Sequence, residues 1–160
     1  MNLKEMIRTI PDYPKKGIKY RDITTLIQDG PSFRASIDRL VRYCEDLKPD
    51  LIAGIDARGF IFGSAVAYEM NLGFIPIRKE GKLPAKTLNE RYELEYGTDC
   101  LEIHEDAIKQ GEKVLIWSSF VANVERIAQR LSHYGSEYIH GGIKTDKESQ
   151  TDNEDWEWED

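Results

Sequence analysis

The chain has little cysteine, little histidine and no long apolar run. Its 160 residues include two cysteines, Cys44 and Cys100, far apart and in no metal-ligand spacing. That excludes a disulfide-stapled scaffold and predicts buried or free thiols in a reducing compartment. The histidines His104, His133 and His140 are scattered, so solvated or structural roles are expected rather than metal ligation. No stretch of about eighteen apolar residues occurs, so no membrane span and no membrane partner is expected. The N-terminal MNLKEMIRTIPDY has neither the apolar core nor the small-residue cleavage site of a secretory signal, which makes the cytoplasm the expected location.

Positive charge is also in short supply. Lys and Arg number 22 against 29 Asp and Glu, a net charge of −7. Residues 1–116 are nearly balanced, with 18 basic and 19 acidic side chains, whereas 117–160 carry 4 and 10. All three tryptophans, Trp117, Trp156 and Trp158, fall in that later stretch. An acidic chain without a basic patch is poorly suited to a nucleic-acid backbone, so no nucleic-acid partner is expected. The polar, acidic run TDKESQTDNEDWEWED predicts a disordered tail over 144–160.

What remains reads as one α/β domain, long enough to bury a core. LKEMIRTI has the spacing of a short amphipathic helix, closed by Pro11 and Pro14. PDYPKKGIKYRDIT is expected to be an irregular loop. Phe33, Ile37, Leu40, Val41 and Cys44 give helical spacing from about Ser32 to Leu47, with Pro31 at its start. DLIAGID and GFIPIRK read as strands with the helix FIFGSAVAYEMN between them. GKLPAKTLNERYELEYG reads as an exposed hairpin or hood, followed by two strand-like pieces around a glycine turn. Residues 123–134 are expected to form an amphipathic helix, and EYIHG a final strand. Strands alternating with helices predict a mostly parallel sheet. In such sheets ligands gather at the C-terminal ends of strands.

Two loops stand at such ends. In Asp56-Ala57-Arg58-Gly59-Phe60, Gly59 permits close approach of backbone to a ligand and Arg58 offers a bidentate anion contact. In isolation the pentapeptide reads equally as a turn with a surface arginine. Arg78, Lys79 and Lys82 put three cations at the end of GFIPI, which suits a di- or triphosphate or simply a solvated basic edge. Glu95-Tyr96-Gly97 closes the hood with a carboxyl, a ring and a turn, a design common in mobile lids.

Taken in order, IPDYPKKGIKYRDIT, GIDARGFIFGSAVA, PIRKEGKLP and YELEYGTDCLEIHEDAIKQGEKVLI resemble the adenine phosphoribosyltransferases over residues 3–116. The resemblance implies a type I phosphoribosyltransferase fold with a small hood, spanning 1–143. It also implies conversion of adenine and phosphoribosyl pyrophosphate to AMP and pyrophosphate in purine salvage, and a homodimer. Lys19, Tyr20 and Arg21 match the loop whose backbone reads the adenine edge. Arg58 matches the arginine beside base and phosphates, and Arg78, Lys79 and Lys82 match the cations that hold pyrophosphate. Glu95 and Tyr96 match the closing hood, with Glu95 the candidate catalytic proton donor. Magnesium would be bound through the pyrophosphate, with no direct protein ligand.

After Ile116 the pattern departs. The family continues into two aspartates and a glycine-rich loop that cradles the 5′-phosphate with backbone N–H groups. Here the residues are Trp117, Ser118, Ser119, Phe120, Val121, Ala122 and Asn123. Three lost charge-assisted hydrogen bonds would remove about 5–9 kcal/mol. Ser118 and Ser119 are left as weak phosphate candidates, and little turnover is expected; the alternative is a non-catalytic adenine- or nucleotide-binding remnant or an interaction protein. GEKVLIWSSFVANVERIAQRLSHYGSEYIHGGI, 111–143, instead resembles the start of the second ATPase lobe of superfamily-two helicases. It lacks the Walker loop of the first lobe and the arginine-bearing motif of that site. The two resemblances share GEKVLI, so we expect a fusion joined there.

Overall fold

The computed structural model describes residues 1–94 and 97–118. These divide into two compact units, Met1–Asp38 and a second that begins at Arg39. In the first unit a 3-10 turn at Lys4–Met6 leads into β1 (Arg8–Ile10), which pairs antiparallel with β2 (Tyr20–Asp22). The helix expected for LKEMIRTI is thus one turn and a strand. Its apolar spacing suits a helix, but Ile7, Thr9 and Ile10 are β-branched and favour extended backbone. The ribbon also offers cross-strand partners: Arg8 Nε donates to Asp22 Oδ2 at 3.0 Å. β2 lies inside the segment expected to be irregular, because a three-residue strand has too short a pattern to signal itself.

A short α1 (Thr24–Gln28) follows, then α2 (Gly30–Leu47). Asp29, just before α2, accepts the Ser32 N–H at 2.9 Å, the N-cap bond that satisfies one orphan donor of the first turn. Hydrogen bonds from the Ser32 side chain and backbone hold the Asp29 carboxyl below its ordinary range. Leu3, Leu26 and Ile37 are buried in this unit.

The second unit is built on a five-stranded sheet. Its elements are β3 (Leu51–Ile55), α3 (Arg58–Glu69), β4 (Gly73–Lys79), β5 (Thr87–Leu94), β6 (Gly97–His104) and β7 (Val114–Trp117). The strand order is β5-β6-β4-β3-β7. β3 is flanked by parallel β4 and parallel β7, with Ile55 opposite Ile77 and Gly54 opposite Trp117. The segment expected to form a hairpin by itself supplies one strand, β5, whose antiparallel partner β6 comes from the piece that follows. β6 also pairs antiparallel with β4, Arg78 with Glu102 and Lys79 with Leu101, and so extends the sheet. The sheet is therefore mixed, with a parallel centre. Ile52, Ala53 and Ile55 on β3 and Val66 and Ala67 on α3 are buried, as the near-continuous apolar run of a central strand requires.

Both cysteines are free and buried, in agreement with expectation, and burial pushes the Cys44 thiol up. Among the described residues no helix is long and apolar enough to cross a membrane. Residues 119–160, over which a helix at 123–134, a final strand and a disordered tail are expected from the sequence, lie outside the described residues.

Candidate functional site at the C-terminal ends of the parallel strands

Because β3, β4 and β7 run the same way, their exits lie at one end of the sheet. The loop after β3 is Asp56-Ala57, joined by a cis peptide, and α3 begins at once with Arg58. So short a connection brings helix and sheet backbones into contact. A methyl carbon on Gly54 would stand 2.5 Å from the Gly59 carbonyl oxygen, and one on Gly59 would stand 2.9 Å from the Trp117 carbonyl oxygen. Only glycine fits at either position, and the N-terminus of α3, with half-buried Arg58, is thereby drawn down onto the ends of β3 and β7.

The exit of β4 is a polar truss. Arg78 Nε donates to Asp56 Oδ2 at 3.2 Å, which ties the β4 exit to the β3 exit. Its Nη1 donates to the Lys82 carbonyl at 3.2 Å, and its guanidinium carbon lies 6.0 Å from the centre of the Phe60 ring. Lys82 N donates to the Lys79 carbonyl at 3.2 Å, closing a turn over Lys79–Lys82. Gly81 in that turn has φ 76°, a left-handed conformation that a side chain would strain. Lys79 and Lys82 are exposed at its two ends. Of the three cations expected to act alike, Arg78 is the brace of the turn and the lysines are what the turn presents.

The exit of β7 has another character. Trp117 stacks on Phe62 of α3, ring centroids 6.3 Å apart and planes 28° from parallel. Half-buried Ser118 follows it. The structure thus brings Arg58, Arg78, Lys79, Lys82 and Ser118 to one end of one sheet. Lys19, Tyr20 and Arg21 belong to the other unit. Tyr20 and Arg21 lie on β2, exposed Lys19 precedes it, and Tyr20 meets Tyr13 edge-on at 5.2 Å. Arg21 hydrogen-bonds to Thr9 across the ribbon. Glu95, Tyr96 and Ser119 lie outside the described residues.

Two acids escaped the sequence reading. Asp56 looked like part of a turn and proves to be the partner of Arg78. Glu102, 7% exposed, accepts the Gly81 N–H at 3.1 Å. Its signal was present in the alternation of β6, where an acid falls two residues after buried Cys100 and so on the same face.

The mixed, parallel-centred sheet extended by a hairpin has the type I phosphoribosyltransferase architecture. No protein-family model matches the chain. An adenine phosphoribosyltransferase of Brachyspira hyodysenteriae is 57% identical over 122 residues, covering 76% of this chain and 72% of the relative. That of Clostridium botulinum (strain Eklund 17B) is 50% identical over 142 residues, covering 87% and 83%. The crystal structure of adenine phosphoribosyltransferase from Thermoanaerobacter pseudethanolicus superposes with a TM-score of 0.73 at 50% identity, over 83% of this chain and 79% of that one. The Saccharomyces cerevisiae enzyme, solved with adenine and an imino-altritol bisphosphate, gives 0.72 at 32% identity over 81% and 79%. The chain belongs to the adenine phosphoribosyltransferase family.

Proposed function

We propose that the chain binds adenine and phosphoribosyl pyrophosphate and forms AMP and pyrophosphate, at a rate held low by its β7 exit. The carrying observation is the truss that fixes Lys79 and Lys82 beside the Arg58 loop, a cationic end suited to pyrophosphate. In the reaction a ring nitrogen of adenine bonds to the ribose anomeric carbon while the bond from that carbon to pyrophosphate breaks. Lys79, Lys82 and Arg58 stabilise the charge gathering on the leaving group. Glu95 exchanges the proton of the base, and Tyr96 helps the hood exclude water. Backbone groups of Lys19, Tyr20 and Arg21 read the adenine edge.

Among the described residues no group of three His, Cys, Asp or Glu is placed to hold a metal. The cations at the site would suit an anion that carries its own metal, and magnesium bound through the pyrophosphate would supply charge neutralisation there. The reading brings with it a role in purine salvage, a cytoplasmic location and a homodimer.

The second reading, a non-catalytic adenine- or nucleotide-binding remnant or interaction protein, is favoured by the Trp117–Phe62 stack where the family's acidic pair would stand. It accords with a graft joined within GEKVLI, which sequencing of the encoding DNA across codons 108–125 tests. The deciding assay follows AMP from labelled adenine, phosphoribosyl pyrophosphate and magnesium. The full chain is compared with a variant carrying the family's acidic, glycine-rich loop in place of 117–124. Little turnover by the first and partial rescue in the second are expected. Turnover by the unaltered chain equal to that of an intact relative would overturn the account of the β7 exit. Adenine or pyrophosphate binding with no rescue would favour the remnant.

A further inference from the structure

We infer that Glu102 is a positioning residue for the anion-binding turn, acting through the Gly81 N–H rather than by touching a ligand. The inference rests on the reading that Lys79 and Lys82 hold pyrophosphate. The turn itself uses the Lys79 carbonyl and the Lys82 N–H, leaving the N–H groups of Glu80 and Gly81 to find partners elsewhere. Strand β6 takes both: Glu80 N donates to the Cys100 carbonyl at 3.2 Å, and Gly81 N to Glu102 Oε2 at 3.1 Å. On the far side Arg78 holds the Lys82 carbonyl. The backbone between the two lysines is therefore tethered at successive residues.

Glu102 is 7% exposed, whereas Lys79, Glu80, Gly81 and Lys82 are all exposed. Taking a carboxyl group out of water is costly unless its hydrogen bonds are made, so a buried acid directed at a surface turn is a fixed support. It also sits directly opposite Arg78 in the β4–β6 register, at the base of the truss. Two lysines on long flexible stems bind a compact anion well only if their backbone attachments do not wander. A preorganised turn removes that ordering cost from binding.

Charge alone predicts the opposite sign, which makes the role testable. Deleting an acid near two lysines would favour an anion if its charge were what mattered; deleting a support would disfavour it. The experiment titrates the full chain with magnesium and inorganic pyrophosphate by calorimetry and follows Gly81 amide exchange by NMR. Wild type is compared with Glu102→Gln, Glu102→Ala and Glu102→Asp. Gln keeps an acceptor at the same reach, while Asp keeps the acid and draws its oxygens back by one methylene. We expect Gln to bind pyrophosphate as wild type does, and Ala and Asp to bind it about tenfold more weakly with faster Gly81 exchange. If Ala does not fold, the Gln and Asp variants still decide the matter. Equal affinity in all variants, or tighter binding by Ala, would overturn the inference and leave the proposed function standing. No pyrophosphate binding by wild type would overturn the pyrophosphate reading itself, with Gly81 exchange still reporting whether Glu102 anchors the turn.

Discussion

The exits of β4 and β7 lie at the same end of the same sheet, one on either side of β3, yet they are held by different physics. The β4 exit is a network of polar bonds around one guanidinium, from Asp56 through Arg78 to Lys82, with Gly81 on Glu102. The β7 exit is a contact of bare backbone and aromatic rings, Gly59 under the Trp117 carbonyl and Trp117 on Phe62. The β4 exit is thus held by directional polar bonds, and the described part of the β7 exit by close backbone approach and ring packing.

The largest way to break the contrast is at the β7 exit. Gly59→Ala puts a methyl group 2.9 Å from the Trp117 carbonyl oxygen and 3.2 Å from the Gly54 carbonyl carbon. Both are backbone atoms in sheet strands and cannot give way as a side-chain tip would. The expected cost is about 3 kcal/mol, measured as a lower urea midpoint. A loss below about 0.5 kcal/mol, the range of ordinary surface substitutions, would show that the helix start is not seated on the strand end.

A smaller effect is expected at the polar exit. Asp56→Asn keeps an acceptor for Arg78 but removes the ion pair, whose side chains are 34% and 23% exposed for Arg78 and Asp56. Such partial exposure limits the loss to about 1 kcal/mol, and the loss should shrink in 1 M salt as screening replaces the pair. The Gly59→Ala loss, being steric, should not shrink. Equal salt dependence of the two would erase the distinction drawn between the exits.

Much of this was legible in the residues, for physical reasons that differ by element. DLIAGID announced itself because a central strand buried on both faces reads as an apolar run, and α2 because its apolar residues recur at helical spacing. GFIPIRK was legible as a short apolar run ending in charge, although only Ile75 in it is buried. The cations after β4 were legible as a cluster, but not the division of labour within it. That depends on which side chain meets an acid from the neighbouring strand's exit loop, 22 residues away in the case of Asp56 and Arg78. Glu102 was hidden for the same reason, since burial of an acid is set by the neighbouring strand. The β1–β2 ribbon was misread because three-residue strands leave local pattern too little length to outweigh an amphipathic spacing. The family itself was legible through order and spacing of several short motifs, none of which was decisive alone.

The smallest prediction sharpens the comparison by setting a second arginine–aspartate pair beside Asp56 and Arg78. On the β1–β2 ribbon Asp22 is held to a pKa of about 2, first by the Thr24 side chain, then by Arg8 and the Thr24 backbone, against an ordinary value of 3.8. A carboxyl whose folded pKa is depressed binds its proton more readily in the unfolded chain. Its contribution to stability is therefore complete above about pH 4 and is lost as the pH falls toward about 2. Asp22→Asn cannot make that contribution at any pH. The gap in urea midpoint between wild type and Asp22→Asn should accordingly be widest above pH 4 and close on the way to pH 2. Parallel curves across that window would mean that Asp22 titrates alike in both states and that the ribbon's bonds do not select its charged form. A gap that closes places the acid-sensitive pair on the ribbon, while the truss at the β4 exit is probed separately by salt.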